Sequence, residues 1–318
     1  MKHKKLLLIP VALMIASCAP TSEPTSNPTT GPTSAPTSEE PVAKKIDVIV
    51  LAGQSNMEGH SWSNELKKHI SEEKYNEYVN GYEDFRMCYK VGCGGSNNNS
   101  NNQFVKIKLG QGCNVPMFGP ELGIAEYLTE YKSVLANEVA FVKFAVGGTT
   151  IYNQWRSPSS VDENFEKGYI YTPFINYVEN SIQTLENEGY EPTIRAICWM
   201  QGESDGASFA SFYEELEDNF INDVVNDLAQ FNKEEKIKFV DAGIYDANWV
   251  PNFRLINNSK IKNANKDSEN RFYFDTIKQK LEYKNEPEGN PDLCHFDSTS
   301  MIELGRLFAT TLVENQII

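Results

Sequence analysis

Five short, nearly continuous apolar runs govern what this chain can fold into. They occupy residues 46–52, 139–146, 194–200, 237–244 and 272–274. A run without polar alternation is expected of a strand covered on both faces, as in a parallel sheet. Between and after the runs, residues 121–131, 174–185, 209–228, 253–264 and 298–314 carry apolar side chains at helical spacing. Strands that alternate with helices predict βαβ units, hence an α/β fold of three layers with helices on both faces of a five-stranded, mostly parallel sheet.

Two stretches stand outside this rhythm. Residues 60–118 are long, polar and turn-rich, with an Asn-rich run at 96–102. An insertion of this kind after a first strand is expected to be a functional loop or lid. Residues 19–41 are mostly Thr, Ser, Pro and Glu, with the triplet Pro-Thr-Ser repeated at 24–26, 32–34 and 36–38. Such a segment has too little apolar surface to fold and is expected to be an extended linker.

The start of the chain reads as an address. Lys2, Lys4 and Lys5 precede a short apolar run at 6–15. The run suits a secretory signal and is too short to span a bilayer. It ends Ala16-Ser17-Cys18, which resembles the lipobox of bacterial lipoproteins, where the Cys is lipidated and becomes the mature N-terminus. The expected organisation is a signal peptide at 1–17, an anchor Cys and linker at 18–44, and one domain at 45–318. The expected location is the outer side of a bacterial cell surface. The net charge of −15 disfavours nucleic acid and adhesion to an anionic membrane other than through the anchor.

With Cys18 lipidated, five Cys remain, an odd number. Cys88, Cys93 and Cys113 share one loop-rich region, and a disulfide among them is open. Cys198 lies in an apolar run and reads as core. No zinc-binding spacing occurs, so neither metal nor cofactor is expected.

In an open parallel sheet, ligands gather beyond the carboxyl ends of the strands. Four blocks follow element ends. The first is Gly53-Gln54-Ser55-Asn56-Met57-Glu58-Gly59. A Gly before a Ser at a strand-to-helix turn exposes the hydroxyl near a helix N-terminus, which suits a nucleophile; a capping Ser is the plain alternative. The second is Gly147-Gly148-Thr149-Thr150, with Trp155 nearby. Its glycines could bring backbone N–H groups to a substrate oxygen, or merely turn the chain. The third is Gln201-Gly202-Glu203-Ser204-Asp205, offering an amide donor and two carboxylates to fix loops. A solvated acidic turn is its plain reading.

The fourth block is Asp292-Leu293-Cys294-His295. An acid three residues before a His can fix its tautomer and stabilise the imidazolium; a solvated pair is the alternative. Of the four His, His3 leaves with the signal peptide, His69 lies in a charged stretch, and His60 is expected to point into its loop. His295 is left as the candidate general base.

Together the blocks resemble the SGNH hydrolases, and more narrowly the sialate O-acetylesterase domain and the acetylxylan esterases of carbohydrate esterase family six. The resemblance spans about residues 46–314. It implies a flavodoxin-like α/β/α fold and a carbohydrate O-acetylesterase. It implies Ser55 as nucleophile, His295 as base and Asp292 as orienting acid. It further implies an oxyanion hole of the Ser55 N–H, the Gly148 N–H and the Gln201 amide, with Gln54, Asn56, Glu203 and Asp205 in support. The implied substrate is an acetylated glycan, such as acetylated sialic acid or xylan.

Two other readings remain open at this level. One is an SGNH esterase or lipase for other acyl esters. The other is a non-catalytic, glycan-binding surface lipoprotein, against which the intact Ser55, Asp292 and His295 speak. A dinucleotide or phosphate-loop enzyme is disfavoured, because residues 53–59 lack a suitable Lys and the G-x-G-x-x-G pattern.

Overall fold

The structure is a computed structural model that describes residues 43–92 and 98–318. The expected signal peptide, Cys18, nearly all of the linker, and Cys93 lie outside the described residues. In chain order the first elements are β1 (Lys44–Gly53), α1 (Ser55–Glu58), β2 (Ser61–Trp62), α2 (Ser63–His69), α3 (Glu72–Asn80), β3 (Tyr82–Val91), β4 (Asn98–Asn99), β5 (Val105–Ile107) and β6 (Met117–Phe118). There follow α4 (Glu121–Tyr131), β7 (Glu138–Ala145), α5 (Tyr171–Asn187), β8 (Tyr190–Met200), α6 (Glu203–Ser208), α7 (Tyr213–Asp227), β9 (Lys238–Ala242), α8 (Phe253–Asn265), β10 (Arg271–Phe274) and α9 (Ser298–Glu314).

The main sheet runs β10-β9-β8-β1-β7-β3-β4, with β5 paired to β3. The six strands from β10 to β3 are mutually parallel; β4 and β5 run antiparallel to β3. All five apolar runs form strands of this sheet. The sheet is wider than the expected five strands because β3 arises inside the stretch read as loop. Here β3 carries Glu83, Asp84, Arg86 and Lys90 among its apolar residues. Those charges find partners near the sheet edge: Lys106 for Glu83 at 2.5 Å, Glu188 for Arg86 at 2.6 Å, and Lys132 for Asp84. Charge of this kind is normal near an edge and hides the strand from an apolar search. The five expected strands keep the flavodoxin order 2-1-3-4-5, as β7-β1-β8-β9-β10, and β3 is added outside them. Here β7 lies between β1 and β3.

Helices cover both faces. Neighbouring residues of a strand point to opposite sides, and β7 shows where each leads. Lys143 reaches Glu121 at the start of α4 (2.7 Å), whereas Phe144 packs on Phe174 and Tyr177 of α5. Helix α9 joins the α4 layer through Arg306 and Glu126 (2.9 Å). Helices α7 and α8 join the α5 layer: Tyr171 of α5 bonds Asp227 of α7 (2.8 Å), and Asn263 of α8 bonds Glu217 of α7 (3.0 Å). Among the described residues, no helix is long and apolar enough to cross a membrane.

β1 is central, between β7 and β8, and its last residue Gly53 pairs with Ala145 and Met200 at the ends of those strands. The three chain exits after β1, β7 and β8 therefore open side by side on one rim. A concavity of about 560 Å³ lies at the opposite, amino-terminal edge, around Lys45, Tyr190 and Arg195. It is at the wrong end of the sheet for a catalytic crevice.

Candidate active site

The turn after β1 requires Gly53. Its φ of 147° disfavours other residues, and a Cβ there would lie 2.0 Å from the Met200 carbonyl oxygen. The chain then passes through Gln54 into α1, which places Ser55 at the first helical position. N–H groups at such a position lack intrahelical acceptors. Ser55 is 8% exposed, between wholly buried Asn56 and buried Gln54.

The residues around Ser55 tie the rim loops together. Gln54 Oε1 accepts from the Gln201 side chain (3.2 Å) and from the N–H groups of Gly202 and Ser204 (both 3.3 Å). Asn56 Nδ2 donates to Glu203 Oε1 at 2.7 Å, and its Oδ1 accepts from the Phe296 N–H at 3.1 Å. The Ser61 hydroxyl donates to the Phe296 carbonyl at 2.6 Å. Both backbone polar groups of the residue after His295 are thus held by the segment that begins at Ser55.

Asp292 and His295 meet. Asp292 Oδ2 lies 2.5 Å from His295 Nδ1, and Oδ1 accepts from the N–H groups of Cys294 (2.6 Å) and His295 (2.9 Å). Partial burial would raise the Asp292 pKa, but the His295 contact and the two N–H bonds outweigh it and hold it below the usual carboxylate range. Asp292 therefore stays ionised beside the ring at neutral pH.

His60 is a residue the sequence reading placed wrongly. The sequence predicts that it points into its loop. Its ring instead stacks on His295, with centroids 4.2 Å apart and planes 20° from parallel. Its Nε2 lies 2.9 Å from Glu58 Oε2, the same oxygen that accepts the Gly147 N–H at 3.1 Å. Glu58, the sixth residue of the first block, is wholly buried, and the sequence assigns it no role. The available signal was Glu58-x-His60 directly after the candidate nucleophile, a carboxylate two residues from an imidazole. His69 lies apart, half exposed, paired with Glu286 at 3.2 Å.

The loop after β7 is pinned at both ends. The Thr149 hydroxyl donates to the Val146 carbonyl (2.7 Å) and accepts from the buried Trp155 indole (2.8 Å). Asp205 accepts from the Ile151 N–H (2.9 Å) and the Tyr152 N–H (3.1 Å). Between these anchors Gly148 is exposed with φ 70°, and nothing lies within 4 Å of where its Cβ would be. Its N–H meets no acceptor among the described residues.

Gln201 does not fit the role of third oxyanion donor. Its side chain is wholly buried. Nε2 faces Asp205 Oδ2 at 2.6 Å, the Thr149 carbonyl at 3.0 Å and Gln54 Oε1 at 3.2 Å. An amide nitrogen has only two hydrogens, so none is left for substrate. Its Oε1 accepts from the Tyr213 hydroxyl at 3.0 Å, which fixes the amide's orientation. Gln201 is thus the brace between the Ser55 turn and the Gly148 loop.

Both acids of the third block are buried. Burial pushes Asp205 up to about 6, against the bonds from Gln201, Ile151 and Tyr152 that pull it down. Burial also raises Glu203; the Asn56 bond opposes this, and its Oε2 has no hydrogen-bond partner. The Cys113 sulfur lies within 4.8 Å of the nearest Glu58 and His60 ligand atoms, whereas Cys88 and Cys198 stand apart from this chemistry. Cys88 is buried with its sulfur 3.2 Å from the Tyr177 hydroxyl, and Cys198 is wholly buried.

Residues 45–314 match the family described as SASA, carbohydrate esterase, sialic acid-specific acetylesterase. No curated protein matches. Among solved structures, the chain is similar to a protein from Arabidopsis thaliana at 18% identity and TM-score 0.57, over 85% of this chain and 98% of that one. It is similar to NanS at 15% identity and TM-score 0.57, over 86% and 98%. A carbohydrate acetylesterase from Xanthomonas citri aligns at 14% identity and TM-score 0.52, over 84% of this chain and 55% of the other. These likenesses establish a shared fold, and the family match spans nearly the whole described chain. The chain belongs to the SASA family of carbohydrate esterases and is a carbohydrate acetylesterase, a carboxylic-ester hydrolase.

Proposed function

We propose that this protein removes O-acetyl groups from glycans through a serine acyl-enzyme, with Ser55 as nucleophile, His295 as base and Asp292 as its orienting acid. The observation that carries this reading is the double grip on Phe296 by Asn56 and Ser61, which ties the Asp292–His295 pair to the Ser55 turn. In the proposed sequence, His295 takes the Ser55 proton as Oγ attacks the acetyl carbonyl carbon. The Ser55 and Gly148 N–H groups stabilise the tetrahedral oxyanion, each by about 3 kcal/mol as in other oxyanion holes. His295 returns the proton to the departing sugar oxygen, leaving acetyl-Ser55. Water then attacks with His295 again as base, and acetate leaves.

The substrates proposed are acetylated sialic acid, xylan or similar glycans. Acetate release from such a panel by the wild type, Ser55→Ala and His295→Ala tests the reading. Both variants should lose at least about a thousandfold in kcat, in line with loss of a member of a catalytic triad. Near wild-type acetate release by either one would end it.

We further propose a lipid anchor on Cys18 at a bacterial cell surface, supported by the basic start, the apolar run and Ala16-Ser17-Cys18. Labelled palmitate should enter the wild type and not Cys18→Ser; equal labelling of both would reject the anchor.

A further inference from the structure

Two exposed apolar side chains stand together beside the Asp292–His295 pair. Trp249 is 38% exposed and Leu293 51% exposed, and the Trp249 indole N–H donates to the Leu293 carbonyl at 3.3 Å. Leu293 lies between the acid and the base. Its φ of 59° is left-handed, a conformation that a non-glycine residue holds only when its surroundings enforce it. The surroundings here are the two Asp292 Oδ1 bonds to Cys294 and His295, and the Tyr245 hydroxyl bond to the Cys294 carbonyl. Tyr245 is buried, stacks on Tyr283 at 4.5 Å, and has its ring 6.4 Å from that of Trp249. An exposed apolar pair is thus held on a fixed base, with Leu293 two residues before His295 and Trp249 bonded to the Leu293 carbonyl.

Resting on the function proposed above, we propose that Trp249 and Leu293 form the platform on which the sugar ring bearing the acetyl group packs. A pyranose has an apolar C–H face and a rim of hydroxyls. An indole presents a flat apolar surface, which stays ordered here because its N–H is already bonded. With an overall charge of −15 and Asp292 adjacent, the chain is better suited to hold a neutral ring by burial than by ion pairing. The platform then lends its binding energy to sugar esters and not to small aryl esters, which makes Trp249 a specificity determinant.

The test compares 4-nitrophenyl acetate with fully O-acetylated xylobiose. In Trp249→Ala the ratio of kcat/KM for the sugar ester to that for the aryl ester should fall at least about tenfold, mainly through KM; Trp249→Phe should recover part of it. A ratio within about twofold of wild type would overturn the platform, because a residue that only shapes the loop affects both esters alike. A second measurement needs no turnover. Calorimetric binding of acetylated xylobiose to Ser55→Ala should weaken at least about tenfold when Trp249→Ala is added. An unchanged Kd contradicts the platform whether or not Ser55 is the nucleophile. Failure of the catalytic reading alone would show instead as full activity in Ser55→Ala.

Discussion

The His60 ring lies against the His295 ring with centroids 4.2 Å apart, and Glu58 holds it there from within the protein interior. The Glu58 oxygen that faces His60 also receives the Gly147 N–H, so one buried carboxylate sets both the stacking partner of the proposed base and the loop that carries Gly148. A ring fixed at Nδ1 by Asp292 and on one face by His60 has little freedom left to turn. His60→Ala should lower kcat on 4-nitrophenyl acetate by roughly tenfold to a hundredfold, the cost of a small misplacement of a catalytic group. His60→Phe keeps a flat partner and should retain more activity. Wild-type kcat in His60→Ala would show that the stack does not matter.

The pH dependence should carry a mark of Asp205. As a carboxylate it accepts three hydrogen bonds that fix the Gly148 loop; a proton acquired below about 6 competes with them. Activity should fall on acidification through about pH 6. Asp205→Asn, which cannot accept from all three donors, should lower kcat by roughly a hundredfold at every pH. The sign for stability is the reverse. Because its pKa rises from 3.8 to about 6 on folding, this group contributes most below pH 3.8 and loses that contribution as pH rises through about 6. A kcat profile flat from pH 5 to 7, or an Asp205→Asn enzyme with wild-type kcat, would contradict this role.

Stability should depend on Lys260, which is wholly buried in α8. It bonds Asp241 of β9 and stands 3.5 Å from Glu217 of α7. Burial and then Glu217 raise the Asp241 pKa, while Lys260 lowers it. Lys260→Met leaves two buried acids without their cation and should cost about 3–5 kcal/mol in urea unfolding at pH 7, the usual result of breaking a buried ion pair. The loss should shrink at pH 5 as Asp241, whose pKa is raised, takes up a proton. A loss under about 1 kcal/mol, or one that grows on acidification, would be inconsistent with the pair as described.

Much of the layer structure was legible because parallel strands covered on both faces must be apolar throughout. β1, β7, β8, β9 and β10 announced themselves in that way. β3 did not, since its charges face the sheet margin and pair with Lys106, Lys132 and Glu188, so neither continuity nor alternation survives in its sequence. In the candidate site, Asp292 and His295 were readable because their contact is local. The His60–His295 stack joins residues far apart in sequence, and no spacing encodes it. Gln201 shows a different limit. Its residue type permits an oxyanion donor, and only the positions of Asp205, Thr149 and Gln54 reveal that its hydrogens are already committed.

Covalent trapping tests the acyl-enzyme most directly. The wild-type protein, treated with a fluorophosphonate and analysed by peptide mass spectrometry, should carry one adduct, on Ser55, and lose acetate release in proportion. Ser55→Ala should take up none. A protein that still releases acetate with Ser55 fully modified, or that is labelled at another residue with equal loss of activity, would contradict the account.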